Sequence, residues 1–313
     1  MPVVHLCEGV RMFVLMVISS GVPVALAVAL VVGSVLAHVD GRRAGGGGPT
    51  WDRLAAAVVG VVGWVLPLVL SFSMIGQFRW WPEVLPIAAG VAAVLVAGRG
   101  ATVPVTADQP VLDLRRRRPL TFTRGVEVLA AAAATVVLAL TVLGAGLLSS
   151  QDDEGRYAFI TIPVGDATAS TEFFGWYYGL PVVVAAAALV VVTLAGLHRI
   201  ACAPRADANR AGDDLRRRDR SSAVLRSATS ALLLTLGSSW QLVAQASSLR
   251  TSIPRTEAGT IEFGTSFAAL GPVLDFSSHC VVGLGLALVV AQLLGRRPSV
   301  SSGVGSDHRP VRA

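Results

Sequence analysis

The chain has 313 residues, of which 53% are hydrophobic and only 15% charged, and its mean hydropathy is +0.64. This composition excludes an ordinary water-soluble globular domain and is typical of a protein dissolved in lipid. The net charge of +6 comes from 26 basic residues, all of them arginines.

Apolar residues gather into seven long runs rather than into the periodic patterns of half-buried elements. A hydrocarbon core of about 30 Å requires about 20 apolar residues in helical form, because lipid offers no partners for backbone polar groups. The sequence therefore predicts an all-α integral membrane protein with about seven transmembrane helices. The third predicted span is short and begins beside Glu83. In chain order the spans are Met12–Ala37, Leu54–Gly76, Val84–Ala97, Val126–Leu148, Trp176–Leu197, Ala228–Ser248 and Gly271–Leu294.

The arginines predict the orientation of these spans. Positive residues near short loops are retained on the cytoplasmic side, and 21 of the 26 arginines fall on one side of the alternating loops. The C-terminus is therefore predicted inside and the N-terminus outside. The Arg-only, Ala/Val/Gly-rich usage resembles that of high-GC bacterial proteins, which makes the bacterial cytoplasmic membrane the expected location. Residues 1–297 would form one polytopic domain, and residues 298–313 a disordered cytoplasmic tail.

A basic phrase occurs twice, as DLRRRRPLTFTR from Asp113 and DLRRRDRSSAVLR from Asp214. Both copies precede a predicted outward span, and in both following loops a proline, Pro163 or Pro254, lies 18 positions before the proline of the next span. We interpret the basic runs as topological anchors, with docking of a nucleic acid or soluble partner as the alternative. The architecture is then one helix plus three helical hairpins. The proposed repeat copies, the last of them fainter, are residues 113–199, 214–297 and 51–99.

Two predicted external loops contain stretches with β character. The segment Arg156–Gly165, RYAFITIPVG, alternates its side chains and is rich in β-branched and aromatic residues, and Gly259–Gly264, GTIEFG, is similar. The two segments are candidates for a small external β-hairpin or cap. Irregular loops that cover helix ends are the alternative.

Polar residues recur on one face of the sixth and of the seventh span, at similar depths in the outer half of the membrane. The cluster could bind a small polar solute or an ion, or relay a proton through Asp275 and His279, because ionisable groups in a span are costly. Interhelical hydrogen bonding with no further role is the alternative interpretation. The cluster consists of Ser238, Gln241, Gln245, Asp275, Ser278 and His279.

Motifs of catalysis are missing from the sequence. It contains no phosphate loop, no zinc-protease helix and no nucleophile elbow, and its three cysteines lack metal-site spacing. We therefore expect no enzyme, no cofactor, no metal and no nucleic-acid partner. The expected role is a transporter component or permease-like subunit for a small polar solute, with the lipid bilayer and an ATPase subunit as candidate partners. The alternative is a membrane scaffold or sensor that binds partners through its external and basic cytoplasmic loops.

Overall fold

The computed structural model describes residues 22–43, 46–47, 55, 57–63, 65–66, 79–99, 119–164, 167–203, 210–255, 259–294 and 297–298. Most of these residues are helical. The α-helices are α1 (Val22–Arg43), α2 (Trp81–Arg99), α3 (Gly125–Leu148), α4 (Trp176–Cys202), α5 (Arg210–Ser247) and α6 (Gly271–Leu294). Residues 57–63 are also helical, and the single 3₁₀ turn in the described ranges, Ala268–Leu270, leads directly into α6.

Among the described residues, four helices are long and apolar enough to cross a membrane, which is compatible with a membrane protein. The predicted third span is longer than expected, because α2 extends the apolar run to the 18 residues that a crossing requires. The apolar stretch Ala25–His38 of α1 is shorter within the described residues. The four candidate segments are Trp81–Gly98, Gly125–Leu148, Trp176–Cys202 and Ala268–Leu294.

Helix α5 is not among these candidates, although it contains the predicted sixth span. It has 38 residues and begins well before Ala228, so the second basic run lies inside the helix and not in a loop before it. Charged residues in its first half and serine, threonine and glutamine in its second half make it less apolar than the four candidate spans. The helix is instead buried, since it packs against α2, α3, α4 and α6.

Close helix contacts show the direction of each helix relative to α5. Helix α3 runs parallel to α5, because residue numbers rise together along the two helices. Ser222 of α5 bonds Glu127 of α3, and further along both helices Trp240 bonds Thr141. Helices α2, α4 and α6 run antiparallel to α5, and the contact of Gly90 with Ala231 is one example. These relative directions are the ones that alternating spans would have.

The two loops with β character each form their own sheet. Strands β2 (Ser150–Gln151), β3 (Tyr157–Val164) and β4 (Ala167–Glu172) lie between α3 and α4 in the order β2-β3-β4. Strands β5 (Arg250–Arg255) and β6 (Gly259–Gly264) pair between α5 and α6. Pairing is therefore within each loop and not between the loops. Two residues separate β3 from β4 and three separate β5 from β6 along the chain, and a short loop costs little entropy to close.

Several predictions fall outside the described residues or at their edge. Residues 113–118, with the first basic run, and the tail from residue 299 onward lie outside them. Only parts of the second predicted span are described. The strand β1 (Gly46–Gly47) pairs with β7 (Arg297–Pro298), which joins the ends of α1 and α6.

Candidate functional site

Hydroxyl side chains line the buried part of α5, and several of them are satisfied within that helix. Thr229, Thr235 and Ser239 each donate a hydrogen bond to the backbone carbonyl four residues earlier, at 2.8 to 3.0 Å. A hydroxyl that bonds its own helix can be buried without leaving a polar group unpaired. The local sequence therefore explains how such a polar helix occupies the centre of the bundle.

Other polar side chains of α5 reach neighbouring helices. Ser230 donates to the backbone carbonyl of Gly285 at 2.8 Å, and the indole nitrogen of Trp240 donates to the Thr141 hydroxyl at 3.0 Å. Such bonds contribute modestly, on average about 0.6 kcal/mol each in membrane proteins. Their collective effect is to fix how α3 and α6 sit against α5.

An ion pair links α3 and α5 at the end of the bundle where both predicted outward spans begin. The Glu127 carboxylate accepts a hydrogen bond from the Ser222 hydroxyl at 2.6 Å and pairs with Arg226 at 3.1 Å. Both charged side chains are largely buried, at 12% and 15% exposure. Removal of one partner from such a pair would leave a poorly solvated charge.

Arg217 clamps the C-terminal end of α4. Its guanidinium donates to the backbone carbonyls of Ile200 at 2.7 Å and Ala203 at 2.9 Å, and pairs with Asp213 at 2.8 Å. The last carbonyls of a helix lack intrahelical partners and carry partial negative charge, so a cation there is favourable. One arginine of the repeated basic phrase therefore has a structural role in addition to its charge.

The opposite end of the bundle carries a carboxylate inside an apolar helix. Glu83 lies in the first turn of α2, and its carboxylate accepts a hydrogen bond of 2.8 Å from the Ser238 hydroxyl of α5. The Glu83 side chain is half-buried, and Glu172 at the end of β4 is close enough to interact with it electrostatically. The hydroxyl of Tyr178 in α4 donates to Glu172 at 2.5 Å. Elements α2, α4, α5 and β4 thus bring two carboxylates and two hydroxyls to one end of the bundle.

The predicted polar cluster is divided between different surroundings. Ser238 bonds Glu83, whereas Ser278 and His279 bond the backbone carbonyl of Asp275 in their own helix, both at 2.7 Å. Asp275 is exposed, and its carboxylate lies 3.9 Å from the His279 ring.

The remaining members of that cluster are less enclosed. Gln241 is half-buried and Gln245 is exposed. Helices α5 and α6 do pack closely, as expected of neighbours joined by one loop, and a side chain at Gly237 would meet Val282. Convergence of all six residues on one cavity stays a prediction.

The turn between β2 and β3 is held by an ion pair outside the apolar helices. Desolvation alone would raise the pKa of Asp152, but hydrogen bonds from the backbone and guanidinium of Arg156 and from the Glu154 amide outweigh it and lower that pKa. The Arg156 guanidinium also lies 5.6 Å from the centre of the Tyr177 ring. These contacts attach the loop sheet to the start of α4.

No group of three or more His, Cys, Asp or Glu side chains that could hold a metal ion occurs among the described residues. On α4, the Cys202 sulfur lies 3.6 Å from a ring nitrogen of His198. Comparison of the chain with protein-family models, with curated proteins and with solved structures finds no match.

Sequence reasoning did not select Glu83 as a site residue, although the signal was present. In the sequence, Glu83 marks only the start of the short third predicted span. The same residue is an ionisable group within a candidate span, which by default suggests function.

Proposed function

We propose that the chain is a multi-pass protein of the bacterial cytoplasmic membrane that takes part in transport of a small polar solute, as a transporter component or permease-like subunit. The observation that carries the proposal is the bond between Glu83 and Ser238. A carboxylate in an apolar helix is costly and is retained mostly where it binds an ion, a proton or a solute.

The chemistry of this site favours a solute that carries hydrogen-bond donors. In its ionised form the Glu83 carboxylate would only accept hydrogen bonds, and the hydroxyl of Tyr178 is already directed at Glu172. A small solute with an amine or ammonium group would therefore match the free acceptor positions of Glu83. Transport of a donor-rich solute is the most specific function that this end of the bundle supports.

The proposal includes seven spans, with the N-terminus outside and the C-terminus inside, arranged as one helix plus three hairpins. The arginine distribution and the alternating helix directions support it. A reporter fused after Arg312 should be cytoplasmic, and a reporter inserted at Asp153 should be external. An Asp153 reporter in the cytoplasm would reverse the orientation.

Transport is tested with the intact protein, purified with any associated subunits from its native membrane and placed in liposomes. The probes are radiolabelled small amines and amino acids in a counterflow assay. We expect at least one probe to accumulate beyond protein-free liposomes and Glu83→Gln to abolish that accumulation. The matched control is Glu154→Gln, since Glu154 is an exposed acid in the loop. No accumulation of any probe with the wild-type protein would contradict the proposal.

A second candidate function is a non-transporting scaffold or sensor. The ordered β-sheets of the two loops favour it, because they offer defined surfaces at the end of the bundle where Glu83 lies. Replacement of the turn between β3 and β4 by a glycine-serine linker separates the two functions. If the chain is a transporter, the linker variant should show little change in the counterflow assay. If the loop sheet is a receptor surface, the variant should no longer capture its partner. An ATPase subunit that co-purifies with the chain would favour transport.

A further inference from the structure

A small cavity lies inside the bundle, in the seam between α2, α5 and α6. Its walls include Gly90 of α2, Ser227, Ser230 and Leu234 of α5, and Gln292 of α6. It has room for one water-sized molecule, with about 10 Å³ open to that molecule's centre. One buried water requires about that much space.

The polar groups of this wall have unused hydrogen-bonding capacity. The Ser227 hydroxyl donates to the Gln292 carbonyl oxygen at 3.3 Å, and Gln292 is only 4% exposed. Within the described ranges no hydrogen bond of the Gln292 side-chain amino group occurs, so its two N–H donors are available. Buried donors without a partner cost about 1 to 3 kcal/mol.

Acceptors are available on the same wall. The Ser230 hydroxyl donates its proton to the Gly285 carbonyl, as the Ser227 hydroxyl does to Gln292. A hydroxyl that has donated its single proton still has lone pairs that can accept. The wall therefore combines one donor group, the Gln292 amino group, with two acceptor oxygens.

We propose that this cavity binds a single ordered water molecule, which accepts a hydrogen bond from Gln292 and donates to Ser227 and Ser230. Three partners are the usual number for a buried water. An apolar atom or an ion fits this wall less well than water. The wall presents both hydrogen-bond donors and acceptors, and a water molecule can accept and donate hydrogen bonds at the same time. The site does not depend on the proposed transport function.

The proposed water links α5 to α6, beside α2. It would bridge two serines of α5 to the end of α6, on the side where Gly90 brings α2 against Ala231. Ser238 lies on the same face of α5, three turns beyond Ser227. Leu234 lies between these two polar positions and is 3% exposed, so it separates the water site from the Glu83 site.

The test is a direct one on the full chain in nanodiscs, with glutamine labelled at its side-chain nitrogen. We expect the Gln292 amide protons to give a cross-peak to water with the sign of a water that tumbles with the protein. The peak is assigned by its loss in Gln292→Met. The exposed Gln245 should show only the behaviour of bulk water. Absence of a slowly tumbling water at Gln292 would overturn the proposal.

The wild-type cross-peak needs no variant for its interpretation, because the exposed Gln245 is the control within the same sample. If Gln292→Met cannot be recovered, the wild-type cross-peak therefore decides alone.

Discussion

Helices α3 and α5 run side by side in the same direction, yet their compositions and surroundings are opposite. Helix α3 is almost entirely apolar, and many of its large side chains point outward, with Leu129 at 69% and Leu147 at 72% exposure. Helix α5 is rich in serine, threonine and glutamine, and residues 223–239 are mostly buried. In water this arrangement would be unfavourable, because apolar burial drives folding.

The contrast is the one expected of a bundle whose solvent is lipid. Lipid solvates the apolar face of α3 as well as a protein interior would, whereas the polar groups of α5 need partners that lipid cannot provide. Most hydroxyls of α5 find those partners in their own backbone or in neighbouring helices, whereas the buried Ser221 hydroxyl has none among the described residues. Burial therefore follows hydrogen-bonding need and not hydropathy.

The largest expected effect of a single change concerns Arg217, at the buried start of the polar helix. Arg217→Ala removes the donor to two carbonyls of α4 and leaves Asp213 without this partner. We expect a loss of about 3 to 5 kcal/mol, as for other broken buried pairs. The measurement is denaturant unfolding in micelles. The adjacent Arg216 is exposed, and Arg216→Ala should cost less than about 0.5 kcal/mol. Equal losses in the two variants would mean that the clamp does not stabilise the fold.

A matched pair of leucines sharpens the comparison directly. Leu232 of α5 is 2% exposed and Leu140 of α3 is 61% exposed. Leu232→Ala should cost about 2 to 5 kcal/mol, because it leaves a cavity among packed side chains. Leu140→Ala removes contacts with lipid only, so its effect should be small. Thermal unfolding of both variants in the same detergent checks this difference, and a larger loss at Leu140 would reverse the assignment of inside and outside.

Two glycines provide a similar contrast for close packing. A methyl group at Gly90 of α2 would meet the Ala231 methyl carbon of α5 at 2.3 Å, so the helices would have to separate. Gly90→Ala should therefore cost about 1 to 3 kcal/mol. Nothing lies within 4 Å of the same position at Gly144 of α3. Gly144→Ala should be neutral or slightly stabilising, because alanine favours the helix.

The smallest effect concerns pH and the loop sheet. The folded-state pKa of Asp152 is lowered, so its ion pair stabilises the loop above the unfolded-state pKa of about 3.9. That stability should be lost as the pH falls through the lower folded-state pKa. Asp152→Asn should therefore lower the unfolding midpoint at pH 7 and differ less from wild type near pH 3. Asp153→Asn, at an exposed position, is the control. A difference that is independent of pH would exclude this role for Asp152.

The sequence predicted the apolar helices well because span length and composition are local properties. Three predicted spans each lie within a single helix of the structure, namely Val84–Ala97, Val126–Leu148 and Trp176–Leu197. The start of α5 was not predicted, since arginines and aspartates before Ala228 resemble a loop in a hydropathy profile. Contacts with α4 through Arg217 allow this polar segment to be helical. Such contacts between distant residues leave no local signal.

The candidate site was predicted only in part, for a related reason. Ser238 was selected because helical spacing places it with other polar residues, but its partner Glu83 is 155 positions away. Pairing of the loop strands within each loop depends on turns that β propensity alone does not define. The repeat stays a prediction: the pair α3 and α4 should superpose on α5 and α6, with Pro163 matching Pro254.

The central claim is that α5 lies in the protein interior while the outer face of α3 contacts lipid. The most direct measurement is the accessibility of single nitroxide labels to oxygen and to a water-soluble nickel chelate, with the full chain in nanodiscs. A label at Leu140 should collide frequently with oxygen and rarely with nickel, which is the signature of lipid. A label at Leu236 of α5, which is buried, should collide rarely with both. Frequent oxygen collisions at Leu236 together with protection at Leu140 would contradict the account.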